Sequence, residues 1–77
     1  MNLNIKYFGL LTEVTLCSEE TVPFSKATVS ELLDLLFEKH PDLKNKDFQV
    51  ALNNEIVSKD TLITANELAL LPPFSGG

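Results

Sequence analysis

Only one stretch of this chain reads as a full amphipathic helix, and that limits the fold more than any other feature. Val29, Leu32, Leu33, Leu36 and Phe37 fall at i, i+3, i+4, i+7 and i+8, which is one helical face. Glu31, Asp34 and Glu38 fall on the opposite face. Thr28-Val29-Ser30-Glu31 fits a capping box, in which the Thr28 hydroxyl and the Glu31 carboxylate satisfy each other's orphan amides. Pro41 disfavours helical geometry in the residue before it, so the helix should end near His40. A single apolar stripe must bury against something else, and the rest of the chain alternates rather than repeating at helical spacing. The chain therefore reads as a two-layer α+β domain, with one helix covering one face of a mixed sheet.

The strands are legible by their period of two. Leu3, Ile5 and Tyr7 alternate with Asn4 and Lys6, and Phe8 continues the run until Gly9 breaks it. Leu10, Leu11 and Val14 suggest a short helical turn. Glu20 to Phe24 form a second short strand, with Pro23 favouring a sheet edge because it lacks a backbone donor. Residues 42 to 47 read as a polar connection. Phe48, Val50 and Leu52 mark a third strand, Asn53-Asn54 a turn tolerant of positive φ, and Glu55 to Val57 a short return strand. After a turn at Thr64-Ala65-Asn66, Glu67 to Leu71 form the last strand. Its Leu68 and Leu70 share one face, while Ala69 and Leu71 make the other face apolar too. That strand is expected to be covered on both sides or to meet a partner. The strongly apolar first and last strands belong at the centre of the sheet.

Composition removes several functions. A chain of 77 residues supports one core, expected over residues 1–71, with residues 72–77 as an extended, flexible tail. Six lysines against eleven carboxylates leave a net charge of −5, which argues against a nucleic-acid partner. No apolar run approaches the roughly 20 residues that cross a bilayer, and no export signal is visible at the N-terminus. One cysteine cannot form an internal disulfide, so a cytoplasmic location is expected. Cys17 and His40 are the single cysteine and histidine, and together they cannot make a Cys/His zinc site. Cys17 reads as a small apolar residue. His40 suits the C-terminal end of the helix dipole. Glu19 and Glu20 read as a charge pair beside a strand.

The chemistry lies at the end of the chain, Leu71-Pro72-Pro73-Phe74-Ser75-Gly76-Gly77. At background usage, Pro-Pro-x-x-Gly-Gly at a fixed place arises by chance about once in 10⁵, which argues against mere fraying. Pro72 and Pro73 favour extended backbone, so six residues can project the terminus up to about 20 Å from the domain. Gly76 and Gly77 have no side chains and suit a narrow slot in another protein. The reactive group would be the Gly77 α-carboxylate. Activated with ATP as an acyl adenylate, it becomes an electrophile that sulfide or persulfide converts to a thiocarboxylate.

With these residues the sequence resembles the small subunit of molybdopterin synthase, the MoaD group of ubiquitin-like sulfur carriers. The resemblance rests on Ile5-Lys6-Tyr7-Phe8-Gly9 with Glu13, Ala27-Thr28-Val29-Ser30-Glu31-Leu32-Leu33, Ala51-Leu52-Asn53-Asn54-Glu55 and the segment from Glu67 to Gly77. It implies a β-grasp fold and a carrier with no permanent cofactor and no catalysis of its own. It implies that a MoeB-like enzyme adenylates Gly77 with ATP and that a sulfur donor completes the thiocarboxylate. It also implies that the tail enters a MoaE-like large subunit, in a heterotetramer that builds the dithiolene of molybdopterin from cyclic pyranopterin monophosphate. The chain departs from the group's pattern at Thr12, where a basic residue is frequent, and at Leu16, near a frequent glycine. Another departure is Asn66 in the last turn, where asparagine can replace glycine at positive φ. Related carriers for thiamine or tRNA thiolation, and ubiquitin-like protein modifiers, also end in Gly-Gly.

Phe8 is out of phase with Leu3, Ile5 and Tyr7, and Leu71 is out of phase with Leu68 and Leu70. Both should point away from the helix. With Phe74 they are expected to form an apolar partner-binding patch beside the tail.

Overall fold

A computed structural model describes residues 2–25 and 27–72. Phe74, Ser75, Gly76 and Gly77, like Pro73, lie outside the described residues. Among the described residues the order is β1 (Asn2–Tyr7), α1 (Leu11–Thr15), β2 (Glu19–Pro23), α2 (Val29–Lys39), a 3-10 turn (Pro41–Asn45), β3 (Gln49–Leu52), β4 (Glu55–Val57) and β5 (Glu67–Leu71). The strands form one mixed sheet in the order β2-β1-β5-β3-β4. Strands β1 and β5 pair in parallel, with Ile5 opposite Leu68 and Tyr7 opposite Leu70. The remaining pairs, β1–β2, β3–β5 and β3–β4, are antiparallel. One helix crossing a five-stranded mixed sheet, with first and last strands adjacent at its centre, is the β-grasp arrangement expected above.

Alternation explains the packing. Leu3, Ile5, Tyr7, Val22, Val50, Leu52, Leu68 and Leu70 are buried with Val29, Leu32, Leu33 and Leu36 of α2. Phe37 is half-buried and packs at the edge of this core beside Phe48. The capping box forms: the Glu31 amide donates to Thr28 Oγ1 at 3.3 Å, and the Thr28 amide donates to Glu31 Oε1 at 3.3 Å. The next amides are satisfied from the loop before β5, Val29 by the Thr61 carbonyl and Ser30 by that of Lys59, both at 2.9 Å. Helix α2 ends at a non-helical His40, and β2 is an edge strand, as Pro23 requires.

Two local readings differ from the sequence expectation. Residues 42 to 47 are not simply a polar connection. Pro41 opens a 3-10 turn that carries Leu43 into the core with no exposure, because one apolar residue among polar ones suffices for one short turn. Left-handed backbone among the described residues occurs at Gly9, Leu16, Asn53 and Asn54. Asn66 is not among them, so no glycine-like conformation explains it, whereas the Asn53-Asn54 turn has the expected positive φ at both residues.

Candidate functional site

The face of the sheet away from α2 carries the candidate docking surface. Its floor is made by Ala51 and Ala69, which pair directly across β3 and β5. Two methyl groups side by side leave a trough between larger neighbours. Ile56, opposite Ala51 on β4, stands on one side. Phe8 and Leu71 line the other, so the structure brings together the two described members of the predicted patch. The groove encloses about 420 Å³ and is rimmed by Lys6, Glu67 and the Asn53-Asn54 turn. Lys6 Nζ and Glu67 Oε2 form an exposed ion pair at 3.2 Å. Phe8 is 44% and Ile56 56% exposed, so each presents a large apolar surface to water. Phe8 lies one residue beyond β1, yet its amide still donates to the Leu70 carbonyl at 3.2 Å, which fixes its position beside β5.

The base of the tail is seated on Gly9. A Cβ placed on Gly9 would lie 2.6 Å from Pro72 Cγ, inside van der Waals contact. Gly9 also has φ +59°, where an L side chain is strained. Its missing side chain therefore lets the chain leave β1 through a left-handed turn and lets Pro72 rest on that turn. Pro72 itself is exposed. The predicted tail residues Pro73, Phe74, Ser75, Gly76 and Gly77 lie outside the described residues, and the reactive carboxylate is among them.

Beyond Gly9, α1 ends in an unusual way. Thr15 is buried, and its hydroxyl lies 3.1 Å from the Leu11 carbonyl and 3.0 Å from that of Cys17. This clamp turns the chain through Leu16 at φ 63°, a conformation that costs a branched L residue about 1–2 kcal/mol. Leu16 is nonetheless 88% exposed.

Sequence reasoning missed a polar cluster under the opposite side of the sheet. Glu20 accepts from the Tyr7 hydroxyl at 2.5 Å and from His40 Nε2 at 2.7 Å, and pairs with Lys39 Nζ at 2.5 Å. Burial pushes the Glu20 carboxyl up, but hydrogen bonds from Lys39, Tyr7 and His40 outweigh it and hold it down at about 2. Burial first, then the hydrogen bond and charge of Glu20, raise the Tyr7 phenol above its ordinary range. The cluster ties β2 and β1 to the end of α2. The available signal was the phase of β2: Glu20 lies two residues from buried Val22, so it shares the helix-covered face.

Among the described residues no three His, Cys, Asp or Glu side chains converge as a metal site, and no helix is long and apolar enough to cross a membrane. Comparison with known proteins agrees with the fold. Residues 5–77 match the model of the ThiS family. The chain is 34% identical over 83 residues to the molybdopterin synthase sulfur carrier subunit of Chlamydomonas reinhardtii, covering all of both chains. It is 31% identical to small archaeal modifier protein 1 of Haloferax volcanii, with a TM-score of 0.82 over 100% of both chains. A solved complex of subunits 1 and 2 of molybdopterin-converting factor from Helicobacter pylori includes a chain of the same fold, at 23% identity, TM-score 0.70 and 100% coverage of both chains.

Proposed function

The chain belongs to the ThiS family as a MoaD-type sulfur-carrier subunit, and we propose that it works by carrying sulfur on its C-terminal Gly77. The observation that carries this reading is the pairing of a Gly-Gly terminus with a domain that places the base of its tail beside an open apolar groove. In this reading residues 72–77 are an extended reach and the domain before them is the handle. A MoeB-like enzyme joins the Gly77 carboxylate to the α-phosphorus of ATP and releases pyrophosphate. Attack by a sulfide sulfur at the acyl carbon displaces AMP and gives the thiocarboxylate directly. Attack by a persulfide displaces AMP and gives an acyl disulfide, whose S–S bond a thiol then cleaves, the thiol and the donor sulfur ending as a disulfide. The product is again a thiocarboxylate. The chain supplies recognition and reach and holds no catalytic group of its own.

The acceptor in this proposal is a MoaE-like large subunit of molybdopterin synthase. There two carriers give two sulfurs to cyclic pyranopterin monophosphate. Phe8, Leu71 and Phe74 are the anchors for that subunit and for the activating enzyme. Large aromatic side chains at the centre of a contact contribute most of its energy, which suits Phe8 at the groove wall. The location proposed for this work is the cytoplasm.

Incubation with ATP, a MoeB-like enzyme and a sulfur donor tests the reading by intact mass. One oxygen should be replaced by sulfur in the full chain and not in a chain lacking Gly77. An unchanged mass, with an enzyme and donor active on their own carrier, would contradict it. The 31% identity to an archaeal modifier supports one second reading, an isopeptide-forming modifier. Its signature would be Gly77-dependent conjugates on a denaturing gel.

A further inference from the structure

Leu10, Val14 and Leu16 line a second groove, between α1 and the 3-10 turn, with Glu13, Asp42, Asn45 and Lys46 around it. Leu10 is 72% and Leu16 88% exposed, so the two leucines give the free domain little burial. Leu16 moreover occupies left-handed backbone, where glycine would be free of strain. The domain therefore bears a conformational cost for a side chain that does little for it.

The position of this groove says what would cover it. Leu10 follows Gly9 directly, and Pro72 rests on Gly9. Beyond Pro72 the chain has five more residues, a reach of at most about 17 Å. A partner whose slot takes up Gly77 must therefore bring its surface close to Pro72 and to Gly9 beneath it. Phe8 and Leu10 are the neighbours of Gly9 in the chain, and each lines one of the two grooves. The rim of the α1 groove has two carboxylates, Glu13 and Asp42, against one ammonium, Lys46. An apolar side chain flanked by lysine or arginine is the complement of such a surface.

We propose that Leu10, Val14 and Leu16 form a second contact for the large subunit that receives the tail, filled by an apolar side chain flanked by basic residues. In this role Leu16 is a specificity determinant. A large subunit matched to this chain would bury it. This rests on the carrier reading above.

The test is titration of the cognate large subunit with full-length wild type, Leu16→Gly and Leu10→Ser, each with a thermal unfolding midpoint measured alongside. Leu16→Gly should weaken binding about tenfold while its unfolding midpoint holds or rises, since strain is removed. Leu10→Ser should weaken binding without unfolding the domain. Substituting the partner's matching apolar residue should remove most of the difference between wild type and Leu16→Gly. Unchanged affinity in both variants would overturn the second contact and leave the carrier reading standing. So would a lowered midpoint for Leu16→Gly with unchanged affinity, which would assign Leu16 to the stability of the domain itself. Failure of the wild type to bind the large subunit would overturn the carrier reading and this contact with it.

Discussion

The two faces of the central strands are built from similar residues and put them to different uses. Towards α2, β1 and β5 present Leu3, Ile5, Tyr7, Leu68 and Leu70, all buried. Away from α2, β5 presents Ala69 and Leu71, and β1 ends against Phe8, all at least partly open to water. Apolar content alone does not separate a core from a docking surface. The separation comes from what each side chain touches: on the first face other side chains fill the space, and on the second a trough over Ala51 and Ala69 is left open. If the open face is the docking surface, a change at Phe8 or Leu71 alters recognition at little cost to folding, because neither residue belongs to the core under α2.

The largest effect expected breaks the covered face. Leu70→Ala should destabilise the domain by about 2–5 kcal/mol in denaturant unfolding, because it leaves a cavity under α2. Gly9→Ala comes next, at about 1–3 kcal/mol, from positive φ and the overlap with Pro72. It should also impair tail uptake beyond its effect on folding, measurable as thiocarboxylate formed per folded molecule.

Glu20→Gln should cost about 1–3 kcal/mol by leaving three donors short of one anionic acceptor. It also has a pH signature. The folded pKa of about 2 lies below the ordinary 4.5, so the Glu20 contribution is complete above about pH 4.5 and disappears as pH falls towards 2. The substitution should flatten that part of the acid unfolding curve. On the alkaline side the raised Tyr7 pKa has the opposite sign, and stability should fall as pH rises past about 10.

The smallest effect on folding belongs to the open face. Phe8→Ala should change stability by no more than about 1 kcal/mol, yet weaken the large-subunit complex about tenfold or more. A large loss of stability there would remove the contrast between the faces.

Period and punctuation carried most of the architecture. The apolar spacing of α2, its capping box, the Pro41 stop, the Asn53-Asn54 turn and all five strands follow from side-chain phase and local backbone chemistry. Leu43 escaped because one buried residue in a single 3-10 turn has no periodicity to display. The Glu20 cluster escaped because its partners lie 13 and 20 residues away, on β1 and at the end of α2, and only tertiary packing brings them together. At the candidate site the phases of Phe8 and Leu71 were sufficient to place them on one face. The seat of Pro72 on Gly9 was not legible, since a close approach between residues at opposite ends of the chain leaves no local pattern beyond the glycine itself. Leu16 was visible as a departure from a related group, and only its φ and exposure give that departure a physical meaning.

In the proposal above, the face away from α2, around the base of the tail, receives the partner. Amide chemical-shift mapping of the isotopically labelled chain, titrated with the large subunit, tests it most directly. Perturbation is expected at Phe8, Ala51, Ile56, Ala69 and Leu71, with the solvent face of α2 at Glu31, Asp34 and Glu38 unchanged. Perturbation of α2 with the open face unmoved would contradict it.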